Sequence, residues 1–283
     1  KVTDDGTGKL AVTYNGNKDF STPEFSNEYT TKGEVTFSGH KVLQNRTLKK
    51  DEFTFELYAG EKAEGTPLQT TTNAANGSYS FSKIEYTGAD DLDTDEDGNY
   101  LKTTKKYTVV EKKGTDSSVT FDTRTYNITV TLTDDGNGKI NASADPSSST
   151  YDFVNVYKAE AGLPVSGTKT MDGREFQAGD KYTFTVTANV ATAPLPTKNP
   201  VTIDLTAENI GKLVSADGKV ALDFGSIAFG MDDAGKTYTY TVTETGTVAG
   251  VTNDSAKTVT VKVEDNGDGT LKDTNSDDEP PAT

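Results

Sequence analysis

The 283-residue sequence contains no cysteine and no tryptophan, and it has one histidine and two methionines. Without cysteine there is neither a disulfide nor a thiolate metal site, so any covalent staple has to come from other side chains. A lone histidine, His40, with no serine in a nucleophile motif leaves no catalytic triad. Positive charge is scarce as well: 28 Lys plus Arg stand against 44 Asp plus Glu, a net charge of −16. Such a surface repels phosphate backbones and anionic lipids, which argues against nucleic acid and against membrane contact in this segment. Apolar runs near the ~18 residues of a membrane span are missing too. No signal peptide is visible, but the chain opens in mid-motif at Lys1, so a leader is expected to lie upstream or to have been removed.

What is present is strand chemistry. Twelve Phe and 13 Tyr recur with Thr and Val in short runs, while helix formers are few. Phe53, Phe55 and Leu57 alternate with Thr54 and Glu56; Tyr126, Ile128, Val130 and Leu132 alternate likewise, as do Val259, Val261 and Val263. Period-two patterning with one apolar face predicts an all-β chain of sheets packed face to face, a β-sandwich. One short helical turn is expected around Thr206–Leu213.

The chain repeats itself. Val2-Thr-Asp-Asp-Gly-Thr-Gly-Lys-Leu10, Leu132-Thr-Asp-Asp-Gly-Asn-Gly-Lys-Ile140 and Val263-Glu-Asp-Asn-Gly-Asp-Gly-Thr-Leu271 read as the same hairpin. Their aspartates Asp4, Asp134 and Asp265 are almost evenly spaced along the chain. Phe25-Ser-Asn-Glu-Tyr29 matches Phe153-Val-Asn-Val-Tyr157, and Phe37-Ser-Gly-His-Lys41 matches Val165-Ser-Gly-Thr-Lys169, with one and the same offset. Tyr107-Thr-Val-Val-Glu111 likewise answers the run Tyr238–Glu244. Several anchors in register mark a tandem array. The expected domains are 1–30, the last strands of a preceding repeat; 31–158, a complete repeat; and 159–283, a second repeat lacking its final Asn-bearing strand. The polar run Asn275–Pro281 is expected to be a loop.

Side-chain parity picks out the chemistry. Lys41 shares a strand face with Phe37 and Leu43, Glu111 with Tyr107 and Val109, and Asn155 with Phe153 and Tyr157. In the next repeat Lys169 and Glu244 fall on the same phases. A lysine, a glutamate and an asparagine facing a core are costly unless they meet. One reading is a buried ion pair hydrogen-bonded to an amide. The other is covalent: burial favours a neutral amine and a protonated carboxyl, and the amine attacks the Asn side chain while the carboxyl shuttles protons.

The ordered set of Lys on the first strand, Tyr-x-Val-x-Glu in the middle and Phe-x-Asn-x-Tyr on the last strand resembles the streptococcal-type pilin isopeptide domains. These are relatives of the collagen-adhesin B-type (CnaB-like) repeats of Gram-positive surface proteins. The resemblance implies tandem Ig-like, CnaB-like sandwiches, a Lys41–Asn155 isopeptide bond and Glu111 as its catalyst. It implies the same roles for Lys169 and Glu244, with their asparagine lying beyond Thr283. Asn27 becomes the crosslinking residue of a preceding repeat. No metal or cofactor is implied and no enzyme turnover, only a bond made once per domain. The implied setting is secreted, on the cell wall or pilus of a Gram-positive bacterium, with neighbouring repeats or copies of the same protein as partners in a fibre.

Other motifs read more plainly. Leu163-Pro-Val-Ser-Gly167 is similar to a sortase signal, but no apolar segment and basic tail follow, so it is expected to be a linker running into a strand. Asp93-Thr-Asp-Glu-Asp-Gly98 begins like a calcium loop, yet Thr104 stands where the bidentate Glu belongs, so an acidic surface loop is expected. His40, opposite in parity to Lys41, should face solvent. The structural stalk competes with one other function, an adhesive module recognising a host glycan or matrix protein through the loops at the sandwich ends.

Overall fold

The computed structural model describes residues 1–13, 25–147 and 149–275. The chain is all-β, with short strands joined by Gly- and Asp-rich turns. It falls into two compact units, one of residues 1–36, 83–105 and 129–145, the other of residues 37–82, 106–128 and 146–283.

In the first unit, Val2–Asp4 and Leu10–Val12 form a hairpin. Lys32–Val35 pairs antiparallel with Ile84–Thr87, and Thr125–Asp134 pairs with Ile140–Asp145 from Thr129 onward. Burial follows the expected alternation: Val130, Leu132 and Ile140 are closed off from solvent. Gly33 is required by a close approach, since a Cβ there would stand 2.3 Å from the Ile140 carbonyl oxygen.

In the second unit, one sheet runs Val119–Thr120, Phe153–Tyr157, Ser38–Gln44, Ser78–Ser80. Its central pair, the Asn155 strand and the Lys41 strand, is parallel, with Phe153 opposite Lys41 and Asn155 opposite Leu43. The facing strands Thr54–Ala59 and Thr103–Glu111 pair so that Phe55 lies opposite Glu111. Between them lie Phe37, Phe55, Leu57, Tyr79, Val109 and Phe153. Phe55 stacks on Tyr79 with ring centroids 3.7 Å apart and 7° between planes. Aromatic rings this large supply most of the burial that a small sandwich can muster.

Further along, Thr237–Thr245 sits between Lys181–Ala188 and Lys257–Asp265 in a five-stranded sheet, and Ala161–Thr170 pairs with Lys219–Phe229. Tyr182, Phe224, Phe229, Tyr238, Val261 and Val263 fill this core. The expected linker Leu163–Gly167 is instead paired strand, with Pro164 opposite Ser226 and a bulge after Val165. Pro164 lacks an N–H, which an edge strand beside a bulge tolerates. The expected helical turn exists as Ile210–Leu213. Of the expected loop Asn275–Pro281, Asn275 ends the strand Leu271–Asn275 and the rest lies outside the described residues.

Candidate functional site

Lys41, Glu111 and Asn155 come together in the second unit. Glu111 bridges the other two: its Oε2 receives Lys41 Nζ at 2.7 Å and its Oε1 receives Asn155 Nδ2 at 2.7 Å. The Lys41 and Glu111 side chains are both 0% exposed, and Asn155 is equally closed off. Strand geometry explains the meeting. Lys41 and Asn155 sit on adjacent parallel strands, and Glu111 ends the strand that faces them across the core.

Electrostatics follow from burial. Loss of hydration pushes the Lys41 ammonium below its ordinary pKa and the Glu111 carboxyl above its own, against the opposing pull of their mutual hydrogen bond. Both shifts move the pair toward a neutral amine and a carboxylic acid. The Phe53 ring closes the amine in, its centroid 4.7 Å from Lys41 Nζ.

The asparagine carbonyl is held too. Asn155 Oδ1 accepts the backbone N–H of Asp122 at 2.7 Å. The Asp122 carboxylate anchors this turn by accepting the N–H groups of Val154 at 2.8 Å and Arg124 at 2.9 Å, with the Arg124 guanidinium beside it. Burial alone would raise the Asp122 pKa, but these hydrogen bonds outweigh it and hold the group at about 2. A donor aimed at the carbonyl oxygen stabilises the negative charge that develops when a nucleophile adds to the carbon.

A second pair repeats the first. Lys169 Nζ lies 2.9 Å from Glu244 Oε1, over the Tyr182 ring at 4.9 Å. They line an open groove of about 770 Å³ together with Phe184, Leu222, Phe224 and Val242. Glu244 Oε2 also receives the N–H of Asp254 at 3.3 Å, whereas the equivalent contact of Glu111 comes from Asn155. Asn27 is exposed in the segment before Lys32 and takes no part in either network.

Tyr182 and Asp122 were not picked out from the sequence, and Phe53 was picked out only for its strand alternation, not as part of the site. The two aromatics had a legible signal, because Phe53-Thr-Phe55 and Tyr182-Thr-Phe184 hold the same place in successive repeats. Asp122 had none, since it acts through its backbone N–H. His40 is exposed, with its ring against the Asn76 carbonyl. In the acidic loop, the Asp95 carboxylate accepts the N–H groups of Asp97 and Asn99 and so closes the turn itself. Among the described residues no group of three or more His, Cys, Asp or Glu is placed to hold a metal, and no helix is long and apolar enough to cross a membrane.

Comparison with known proteins adds the family. No curated protein matches the chain. Among solved structures, the major pilin from Streptococcus pyogenes is 15% identical, with 86% of this chain and 96% of that one covered at a TM-score of 0.30. A shaft pilin from Lactobacillus rhamnosus GG is 13% identical, with 86% and 98% covered at a TM-score of 0.22. A streptococcal ancillary pilin is 17% identical, with 88% and 63% covered at a TM-score of 0.21. The assignment rests on the family profile, which matches twice, over residues 37–158 and 165–282, so the chain belongs to the FctA family of Spy0128-like isopeptide containing domains.

Proposed function

We propose that this chain is a segment of the shaft of a surface pilus or adhesin on a Gram-positive cell wall, made of neighbouring repeats or copies of one protein. The pilin family to which it belongs is structural rather than catalytic. In this reading, residues 31–158 are one complete repeat, closed by an isopeptide bond between Lys41 and Asn155. The observation that carries the reading is Glu111, buried and hydrogen-bonded at 2.7 Å to both the lysine amine and the asparagine amide.

The chemistry balances within these residues. The neutral Lys41 amine adds to Asn155 Cγ while the Asp122 N–H steadies the carbonyl oxygen. The protonated Glu111 gives its proton to the departing amide nitrogen on the Oε1 side and takes one back from the attacking nitrogen on the Oε2 side. Ammonia leaves, an Nζ–Cγ amide remains, and Glu111 ends as it began. Fixed neighbours in a folded core supply the effective concentration that such a slow exchange needs. Lys169 and Glu244 are the same machinery in the following repeat, and Asn27 is the crosslinking residue of the preceding one.

A bridge between the first and last strands of a repeat lets tension bypass the hydrogen-bonded ladder, which suits a stalk under shear. Intact-protein mass spectrometry tests it. A mass one ammonia below the sequence mass, with the loss abolished in Lys41→Ala and in Asn155→Ala, is the expected result. A mass equal to that of the sequence would reduce the site to an ion pair.

A further inference from the structure

Two tyrosines at corresponding places in the repeat, Tyr29 and Tyr157, make the same pair of hydrogen bonds. The Tyr29 hydroxyl donates to Asp134 Oδ1 at 2.9 Å and accepts the backbone N–H of Gly138 at 2.9 Å. Tyr157 donates to Asp265 Oδ1 at 2.9 Å and accepts the N–H of Gly269 at 2.8 Å. Asp134 and Gly138 belong to the Gly-rich turn of one repeat, and Asp265 and Gly269 hold the same places in the next.

The main chain repeats the pattern. Three positions past each tyrosine, the N–H of Lys32 reaches the Gly138 carbonyl at 3.2 Å, and that of Glu160 reaches the Gly269 carbonyl at 3.3 Å. Lys32 and Lys139, like Glu160 and Thr270, form isolated parallel bridges. Each tyrosine and its turn lie within one compact unit.

The turn is shaped for this contact. Gly138 and Gly269 have φ of 87° and 91°, a left-handed backbone that favours glycine. A Cβ on Gly269 would also stand 2.5 Å from the Ser118 Cβ. A phenol hydroxyl matches an aspartate plus an N–H because it donates once and accepts in turn. Tyr157 is 0% exposed, with the Arg46 guanidinium 4.9 Å over its ring, whereas Tyr29 is 46% exposed.

We propose that this tyrosine and turn form the joint between successive repeats: the hydroxyl that ends one repeat seats in the Gly-rich turn of the next and locks the two together. The joint and the crosslink share a strand face, because Asn155 and Tyr157 are two positions apart on one strand. Resting on the function proposed above, load crossing the Lys41–Asn155 bond would therefore enter the next repeat two positions later.

The test is Tyr157→Phe in the full chain, which keeps the ring and removes the hydroxyl. Intact mass first reports whether the ammonia loss persists, so failure of the crosslink reading is seen separately from failure of the joint. Hydrogen exchange at the Gly269 amide should then quicken about fivefold or more, the worth of one lost hydrogen bond, while Val186 and Val261 keep their protection. In ¹⁵N relaxation, segments 37–158 and 165–282 should tumble together in the parent and separately in the variant. Unchanged exchange at Gly269, or separate tumbling already in the parent, would overturn the joint.

Discussion

Asn155 donates its side-chain N–H to Glu111 Oε1 at 2.7 Å, so the leaving group of an amide exchange rests on the acid that must protonate it. The other oxygen of the same carboxyl holds the amine at 2.7 Å. A structural ion pair would use both contacts only to satisfy a buried carboxyl group, whereas amide exchange makes and breaks bonds across them. That difference makes the site testable by substitutions that separate chemistry from stability.

Glu111→Ala should leave the chain at its uncyclised sequence mass and lower its stability. The loop that a Lys41–Asn155 bond would close takes in nearly the whole repeat. Closing a loop of about 100 residues contributes about 4–5 kcal/mol by chain entropy. Removing the partner of a buried lysine costs about 3–5 kcal/mol more. Chemical denaturation beside Asn155→Ala, which loses the bond but keeps the ion pair, resolves the two contributions. Equal midpoints for parent and Asn155→Ala would count against the crosslink.

Asp122→Ala should slow crosslinking without abolishing it. The backbone N–H that meets Asn155 Oδ1 stays, but the carboxylate that fixes the turn through Val154 and Arg124 is gone. Misplacing one oxyanion donor is worth roughly ten- to a hundredfold in rate. Mass spectra taken at intervals after refolding would read the rate directly. An unchanged time course would remove Asp122 from the mechanism.

Stability should fall in strong alkali. Burial, then the Asp233 contact, raises Tyr238 from the ordinary value of 10.0 to about 12, and burial raises Tyr240 to about 12 as well. The folded state thus keeps these protons where the unfolded chain has lost them. Their contribution is complete below pH 10.0 and disappears as pH rises through about 12. Asp122 works at the other end, its contribution present above the ordinary 3.8 and lost as pH falls through about 2. Denaturant midpoints that stay flat across the alkaline window would contradict the assignment.

Gly39→Ala should be destabilising although glycine there needs no unusual backbone angle. An added Cβ would lie 2.0 Å from the Tyr151 carbonyl oxygen, an acceptor that also binds the Tyr79 hydroxyl. Relieving the clash pushes apart backbone beside the Lys41 strand, at a cost of about 1–3 kcal/mol or more. A thermal midpoint equal to that of the parent would show that this wall yields.

By itself the sequence determined the class, the repeat and the residues. Alternation of Phe, Val and Tyr with Thr reports a half-buried strand whatever its neighbours, and several motifs recurring with one offset report tandem copies. Parity placed Lys41, Glu111 and Asn155 on inward faces before any contact was known. Parity is a local property, however, and names neither the strand across the sheet nor the backbone that approaches a side chain. That Leu163–Gly167 is a paired strand depended on the partner Lys219–Phe229. That the Asp122 N–H meets the Asn155 side-chain carbonyl, and that the Tyr157 hydroxyl meets the distant turn at Gly269, was decided by hydrogen bonds to main-chain N–H groups. Every residue but proline carries that group, so no residue type announces it, and only tertiary packing selects which one is used.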